Sequence, residues 1–188
     1  MPFGKPKKSA APLDEAQLHD YALKSLGRRM RSEADLRRLL QAKVERPDSS
    51  GDTGAAKVSA VIARLKEYGY LDDTNFAETY TRLRQENEKF GSRRVRQELS
   101  RKGIAQQTVT ATIETQYAEV NEEALARQHL ERKRIRKPES EKETARIVRR
   151  LVTAGFSTSV IYKILRQWDV PDEALAALEN LEEAGSEE

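Results

Sequence analysis

The chain has 188 residues, with 34 Lys and Arg against 31 Asp and Glu, a net charge of +3. Residues 172–188 hold seven acidic and no basic side chains, so residues 1–171 set 34 basic against 24 acidic ones, a net +10. With 35% charged and 37% apolar residues and no cysteine, the composition suits narrow helical stripes and excludes a thick sheet-based core, disulfides, thiolate metal sites and a cysteine nucleophile. No window approaches the roughly 20 apolar residues of a membrane span. Lys5, Lys7 and Lys8 precede Ala10, Ala11 and Pro12 rather than an apolar run, so no secretory signal is expected. The expectation is a soluble, cytoplasmic, all-α protein whose basic body favours an anionic partner, with nucleic acid or nucleoprotein ahead of a membrane.

A disordered basic segment is expected over residues 1–12. Apolar spacing then predicts helices over residues 13–27, 32–43 and 55–68, the last with Val58, Ile62 and Leu65 on one face, and a polar loop over 47–54. The next three are expected over 73–90, 93–102 and 106–117. Their inward faces are Phe76, Tyr80 and Leu83, then Val95 and Leu99, then Val109 and Ile113. A last trio is expected over 122–136, 141–154 and 158–168, closed by Trp168 as core. Leu36/Leu40, Val95/Leu99 and Ile147/Leu151 align at i, i+4 in the middle helix of each trio. One three-helix unit is therefore used three times, over 13–71, 72–120 and 121–170. A short acidic helix or tail over 171–188 begins with Pro171 at its first position.

The junctions repeat too. Gly69, Gly103 and Gly155 suit left-handed helix ends. Leu71 with Phe76, Ile104 with Val109 and Phe156 with Ile161 form hydrophobic staples, and Asp72 and Ser157 serve as caps. Ala105 is the weak cap. Ser32 with Asp35 and Ser140 with Glu143 fit capping boxes.

Residues 67–77, centred on Gly69-Tyr70-Leu71-Asp72-Asp73 with Phe76, are followed by Gly91-Ser92-Arg93-Arg94-Val95-Arg96-Gln97-Glu98-Leu99 and then Lys102-Gly103-Ile104. Together these resemble the central signature of the RecX family, bacterial regulators of the RecA recombinase. Shorter matches, residues 31–40 and Ile147-Val148-Arg149-Arg150-Leu151 with Gly155-Phe156-Ser157, resemble its first and third repeats. The resemblance covers about residues 13–168. It implies three tandem three-helix repeats forming a curved, elongated array of right-handed helices. It also implies a non-enzymatic protein that binds RecA and the groove of the RecA–DNA filament. Such a protein restrains filament growth and damps RecA's ATPase, strand-exchange and co-protease activities, within DNA repair, homologous recombination and the SOS response. Ala154 departs from the basic residue the family more often has there, and the acidic extension after Asp172 lies outside its pattern.

Asp72 and Asp73 are adjacent carboxylates, but neighbours at a helix start diverge by about 100°, so cap and dipole roles outrank catalysis. No catalytic residue, metal site, cofactor or small-molecule substrate is expected. The basic stripes carry the partner-binding expectation. Residues 82–102 hold eight basic and three acidic residues, a net +5, and residues 127–150 hold ten and four, a net +6. A solvated helix face is the bland explanation. The one-signed excess on equivalent helices favours contact of Arg93, Arg94, Arg96, Arg101, Lys102, Arg132, Arg134, Arg146, Arg149 and Arg150 with acidic protein surface or DNA phosphates. Gly69, Tyr70, Leu71, Asp72, Asp73, Phe76, Gly91, Leu99, Gly103, Ile104, Gly155 and Phe156 are expected to be structural. His19 and His129 are expected at surface or boundary positions, and Tyr68, Tyr70, Tyr80 and Phe90 in helix packing. The −7 segment is expected to cover the basic surface, an effect screened beyond roughly 8 Å at physiological salt. A sequence-tolerant DNA binder and an adaptor for another acidic protein are the rival readings.

Overall fold

The computed structural model describes residues 13–44 and 52–170. Among these the chain is all-helical: α1 (Glu15–Leu26), α2 (Glu33–Val44), α3 (Asp52–Glu67), α4 (Asp73–Leu83), a π-helical turn (Arg84–Glu88), α5 (Ser92–Arg101), α6 (Gln106–Tyr117), α7 (Glu122–Arg132), α8 (Glu141–Thr153) and α9 (Thr158–Gln167). None of these helices is long and apolar enough to cross a membrane. The expectations for residues 1–12, for 47–51 of the polar loop and for the helix or tail from Pro171 fall outside the described residues.

Two compact units divide the chain, one ending at Phe76 and the other starting at Ala77. In the first, α1–α3 close over a core that includes Leu18, Ala22, Leu36, Leu40, Ile62 and Leu65. The helix α3 starts three residues earlier than expected. Gly54 sits against the end of α2, where an added Cβ would lie 3.3 Å from Val44 Cγ2, so the turn-rich composition conceals a close helix–helix approach. In the second unit Val95, Leu99, Val109 and Ile113 are buried between α5 and α6. A larger core from α7–α9 gathers Leu125, Leu130, Ile147, Leu151, Phe156, Ile161 and Leu165, with Phe90, Tyr117 and Trp168 packed on it.

Helix ends explain the precision of this fold. Asp72 Oδ1 accepts the N–H groups of Thr74 at 2.8 Å and Asn75 at 3.0 Å, the cap read from sequence. Asp73 does more than favour the dipole. Its Oδ1 accepts the Glu33 N–H at 2.8 Å, tying the start of α4 to the start of α2. Burial pushes the Asp73 carboxyl up, partly offset by that backbone bond. Ser32, Ser140 and Ser157 cap as expected. The return bond of the Ser140 pair comes from Glu139, whose N–H donates to Glu143 Oε2 at 2.9 Å. Ala105 contributes no side-chain cap. Asp14 and Gln17 form a reciprocal capping box that sequence reading missed.

Gly69, Gly103 and Gly155 take φ of 72°, 77° and 91°, and the following N–H of each reaches back to Leu65, Leu99 and Leu151 respectively, the Schellman pattern. Two further ends use the same pattern without glycine. Arg134 at φ 53° ends α7, with the Ile135 N–H on the Leu130 carbonyl, and Asp169 at φ 50° ends α9, with the Val170 N–H on Leu165. This stops α7 at Arg132, four residues short of expectation. The fourth helix was expected to reach Phe90 but leaves α geometry at Leu83. Its π turn widens the ladder and Lys89 closes it at φ 54°.

Candidate partner-binding groove

The second and third trios meet through backbone. The Gly91 N–H donates to the Ala154 carbonyl at 2.9 Å and the Arg93 N–H to the Gly155 carbonyl at 3.3 Å. The Ser92 N–H donates to Glu122 Oε1 at 2.9 Å. The first N–H groups of a helix have no partner within it, and here the third trio satisfies those of Ser92 and Arg93 in α5. A Cβ on Gly91 would sit 2.4 Å from the Gly155 oxygen, and one on Gly155 would sit 2.2 Å from the Arg94 nitrogen. Both glycines are therefore required by contact, a role beyond the helix-end function that sequence assigned to Gly155.

The π turn supplies the other half of this joint. It turns the Glu88 carbonyl toward His129, whose Nδ1 lies 2.9 Å away. A carbonyl can only accept, so Nδ1 carries the proton and donates. The Tyr117 hydroxyl donates to the Phe90 carbonyl at 2.8 Å, and Gln85 Nε2 to the Gln116 carbonyl at 3.0 Å. Burial pushes the Tyr117 hydroxyl well up, so it stays a donor. The His129 ring lies 6.0 Å from Phe90 and 6.1 Å from Phe156. His129 is buried, contrary to the surface or boundary position expected. A lone histidine in sequence does not reveal that a distant carbonyl satisfies it.

Burial holds the His129 pKa below 6.5; the Glu88 carbonyl pulls it back, while Lys133 and Arg132 lower it further. A depressed histidine pKa means that the unfolded chain binds the extra proton first. Its contribution to stability is full above pH 6.5 and is lost as pH falls through the folded pKa. Urea denaturation from pH 7.5 to 5 is expected to show this acid-side loss in the native protein. His129→Phe, which keeps a ring but cannot titrate, is expected to be less stable at pH 7.5 and to decline less steeply. An unchanged slope in that variant contradicts the assignment.

Beside the joint lies a groove of about 440 Å³. Phe90, His129, Ile135 and Ala154 form its apolar part, and Arg94, Lys133, Arg146, Arg149 and Arg150 bring the charge. The cationic side chains follow from helix periodicity: Arg146, Arg149, Arg150 and Thr153 share the face of α8 opposite buried Ile147, Val148 and Leu151. Arg94 belongs to a network. Its Nε donates to Glu98 Oε1 at 2.9 Å; Tyr80 donates to Glu98 Oε2 at 2.8 Å, and Arg84 Nη2 to the Tyr80 hydroxyl at 2.7 Å. Burial pushes the Glu98 carboxyl up, but Tyr80 and the two guanidiniums outweigh it and hold it below the usual range. Arg94 also lies over the Phe90 ring, 5.6 Å from its centroid. Among the described residues, Lys133, Arg146, Arg149 and Arg150 have no acidic partner.

The basic residues named from sequence thus separate. Arg94, Arg146, Arg149 and Arg150 converge on the groove. Arg134 lines an adjoining depression of about 340 Å³ with Arg136 and Lys137, which shares Lys133, Arg146 and Arg150. Arg132 lies outside the groove, 3.6 Å from Glu88. On α5, Arg96 Nη1 donates to Thr110 Oγ1 at 3.2 Å. Arg93 and Arg101 are exposed and Lys102 is half-buried, none of them lining the groove. Lys133, read from sequence as part of the basic run just before α8, lines the groove as well. Tyr68 and Tyr70, expected in helix packing, are exposed at 58% and 59%. No group of three His, Asp or Glu side chains among the described residues forms a metal site.

Comparison with known proteins places these features in a family. Residues 72–113 match the family model for the second three-helix domain of RecX. The chain is 33% identical over 167 residues to the regulatory protein RecX of Cronobacter sakazakii, covering 87% of this chain and 97% of that one. It is 32% identical to the Thermobifida fusca protein of the same name, over 87% of this chain and 85% of that one. The fold matches a crystal structure of regulatory protein RecX with a TM-score of 0.64 at 24% identity, over 81% of this chain and 71% of that one. The π turn, the glycine joint and α5 all fall in or beside the matched domain, and the chain belongs to the RecX family of regulatory proteins.

Proposed function

We propose that the protein regulates the RecA recombinase without turning over a substrate, by binding the RecA–DNA filament through the groove between α5 and α8. Four cations without acidic partners beside an apolar patch are the observation that carries this reading. They suit acidic side chains or phosphates presented by a nucleoprotein. Binding that favours a stalled filament over a growing one is sufficient for inhibition. Restrained growth then lowers ATPase, strand-exchange and co-protease output together. The rival in which α5 reads DNA as a recognition helix is disfavoured, because the first turn of α5 is packed against Gly155 and Glu122.

The test is RecA ATP hydrolysis and filament length as the protein is added, using RecA from the same organism. Suppression of both as the protein is added is expected. Affinity for bare DNA, measured without RecA across a salt series, separates the rival: tight RecA-independent binding favours a plain DNA-binding protein.

A further inference from the structure

The described residues end beside the groove. Asp169 Oδ2 lies 3.7 Å from Lys137 Nζ, and Lys137 lines the adjoining depression together with Lys133, Arg146 and Arg150. Beyond Val170 the sequence continues for 18 residues that carry seven carboxylates and no basic side chain, with Leu175, Leu178 and Leu181 among them. We infer that residues 171–188 dock into this groove as an intramolecular competitor, their carboxylates on Lys133, Arg146, Arg149 and Arg150 and their leucines toward Phe90 and Ile135. Charge and polarity match on both sides: a basic rim around an apolar patch meets an acidic segment bearing leucines.

Reach does not limit the contact. Eighteen residues span at most about 60 Å when extended and roughly 25 Å as a coil. A tether of that length holds the segment at an effective concentration in the millimolar range. Weak, salt-sensitive contacts then occupy the groove, and a partner must displace them. The regulatory consequence rests on the groove being the partner surface, whereas the docking is measured without RecA.

The chain has no cysteine, so two introduced ones label selectively. Val152, exposed on α8, and Asn180 in the acidic segment receive a donor and acceptor dye as Val152→Cys/Asn180→Cys in the full chain. High energy transfer is expected at 50 mM salt, falling at least twofold at 1 M salt. The same fall is expected at 50 mM salt when Arg149→Glu/Arg150→Glu is added. Lys163→Glu/Arg166→Glu on α9 changes net charge equally, closer in sequence to the segment, and is expected to retain the transfer. Low, salt-independent transfer overturns docking, and an equal fall in both charge variants overturns the groove as its seat.

Discussion

Gly155→Ala is expected to cost about 3 kcal/mol or more of unfolding free energy, whereas Gly69→Ala costs only about 1 kcal/mol. Both residues adopt left-handed backbone, at φ of 91° and 72°, so both alanines meet the strain of roughly 1–2 kcal/mol that a Cβ brings there. Their surroundings differ. At Gly69 nothing lies within 4 Å of the added carbon, but at Gly155 the Arg94 nitrogen and Cβ lie at 2.2 and 2.4 Å. Backbone cannot swing aside as a flexible side chain can, so the joint must open. Opening removes the hydrogen bonds that satisfy the start of α5 and shifts Arg94 away from the α8 cations. Urea titrations of the two variants measure the difference directly, and equal losses would refute the joint.

Arg149→Glu/Arg150→Glu is expected to weaken filament binding on the order of 30- to 100-fold while leaving helix content unchanged. Each side chain is exposed and without an acidic partner among the described residues, so the fold loses nothing when either is replaced. Losing two exposed charge contacts at about 1 kcal/mol each, with repulsion from the two new carboxylates added, corresponds to that factor. If phosphates are the partner groups, the slope of log affinity against log salt also falls by about 2. Arg94→Glu is a poorer probe, because it would set a second carboxylate one turn from Glu98 and break the Tyr80–Arg84 network. Full suppression of RecA ATP hydrolysis by the Arg149/Arg150 variant would remove the groove from the mechanism.

The trios, most of their buried faces and three of the helix ends were legible because each is local: an i, i+4 stripe, a glycine after it, a capping oxygen before it. Leu83, expected to face inward with Phe76 and Tyr80, is instead exposed at 41%, at the point where the backbone leaves α geometry. Arg134 and Asp169 ended helices where no glycine announced a stop. The π turn was hidden because a helical stripe runs through residues 73–90 whichever ladder the backbone uses. The candidate site was legible only as composition. Which arginines converge depends on the contact of Gly91 with Gly155, 64 positions apart in sequence, and no local pattern encodes that approach. Long-range satisfaction also bears on His129, whose buried Nδ1–H donates to the Glu88 carbonyl.

Arg134 carries a conflict between robustness and reach. A left-handed arginine holds a position that glycine would occupy with less strain, by roughly 1 kcal/mol, yet glycine would strip a guanidinium from the depression beside the groove. Engineering for heat tolerance would choose glycine there, at the expense of grip on an anionic partner.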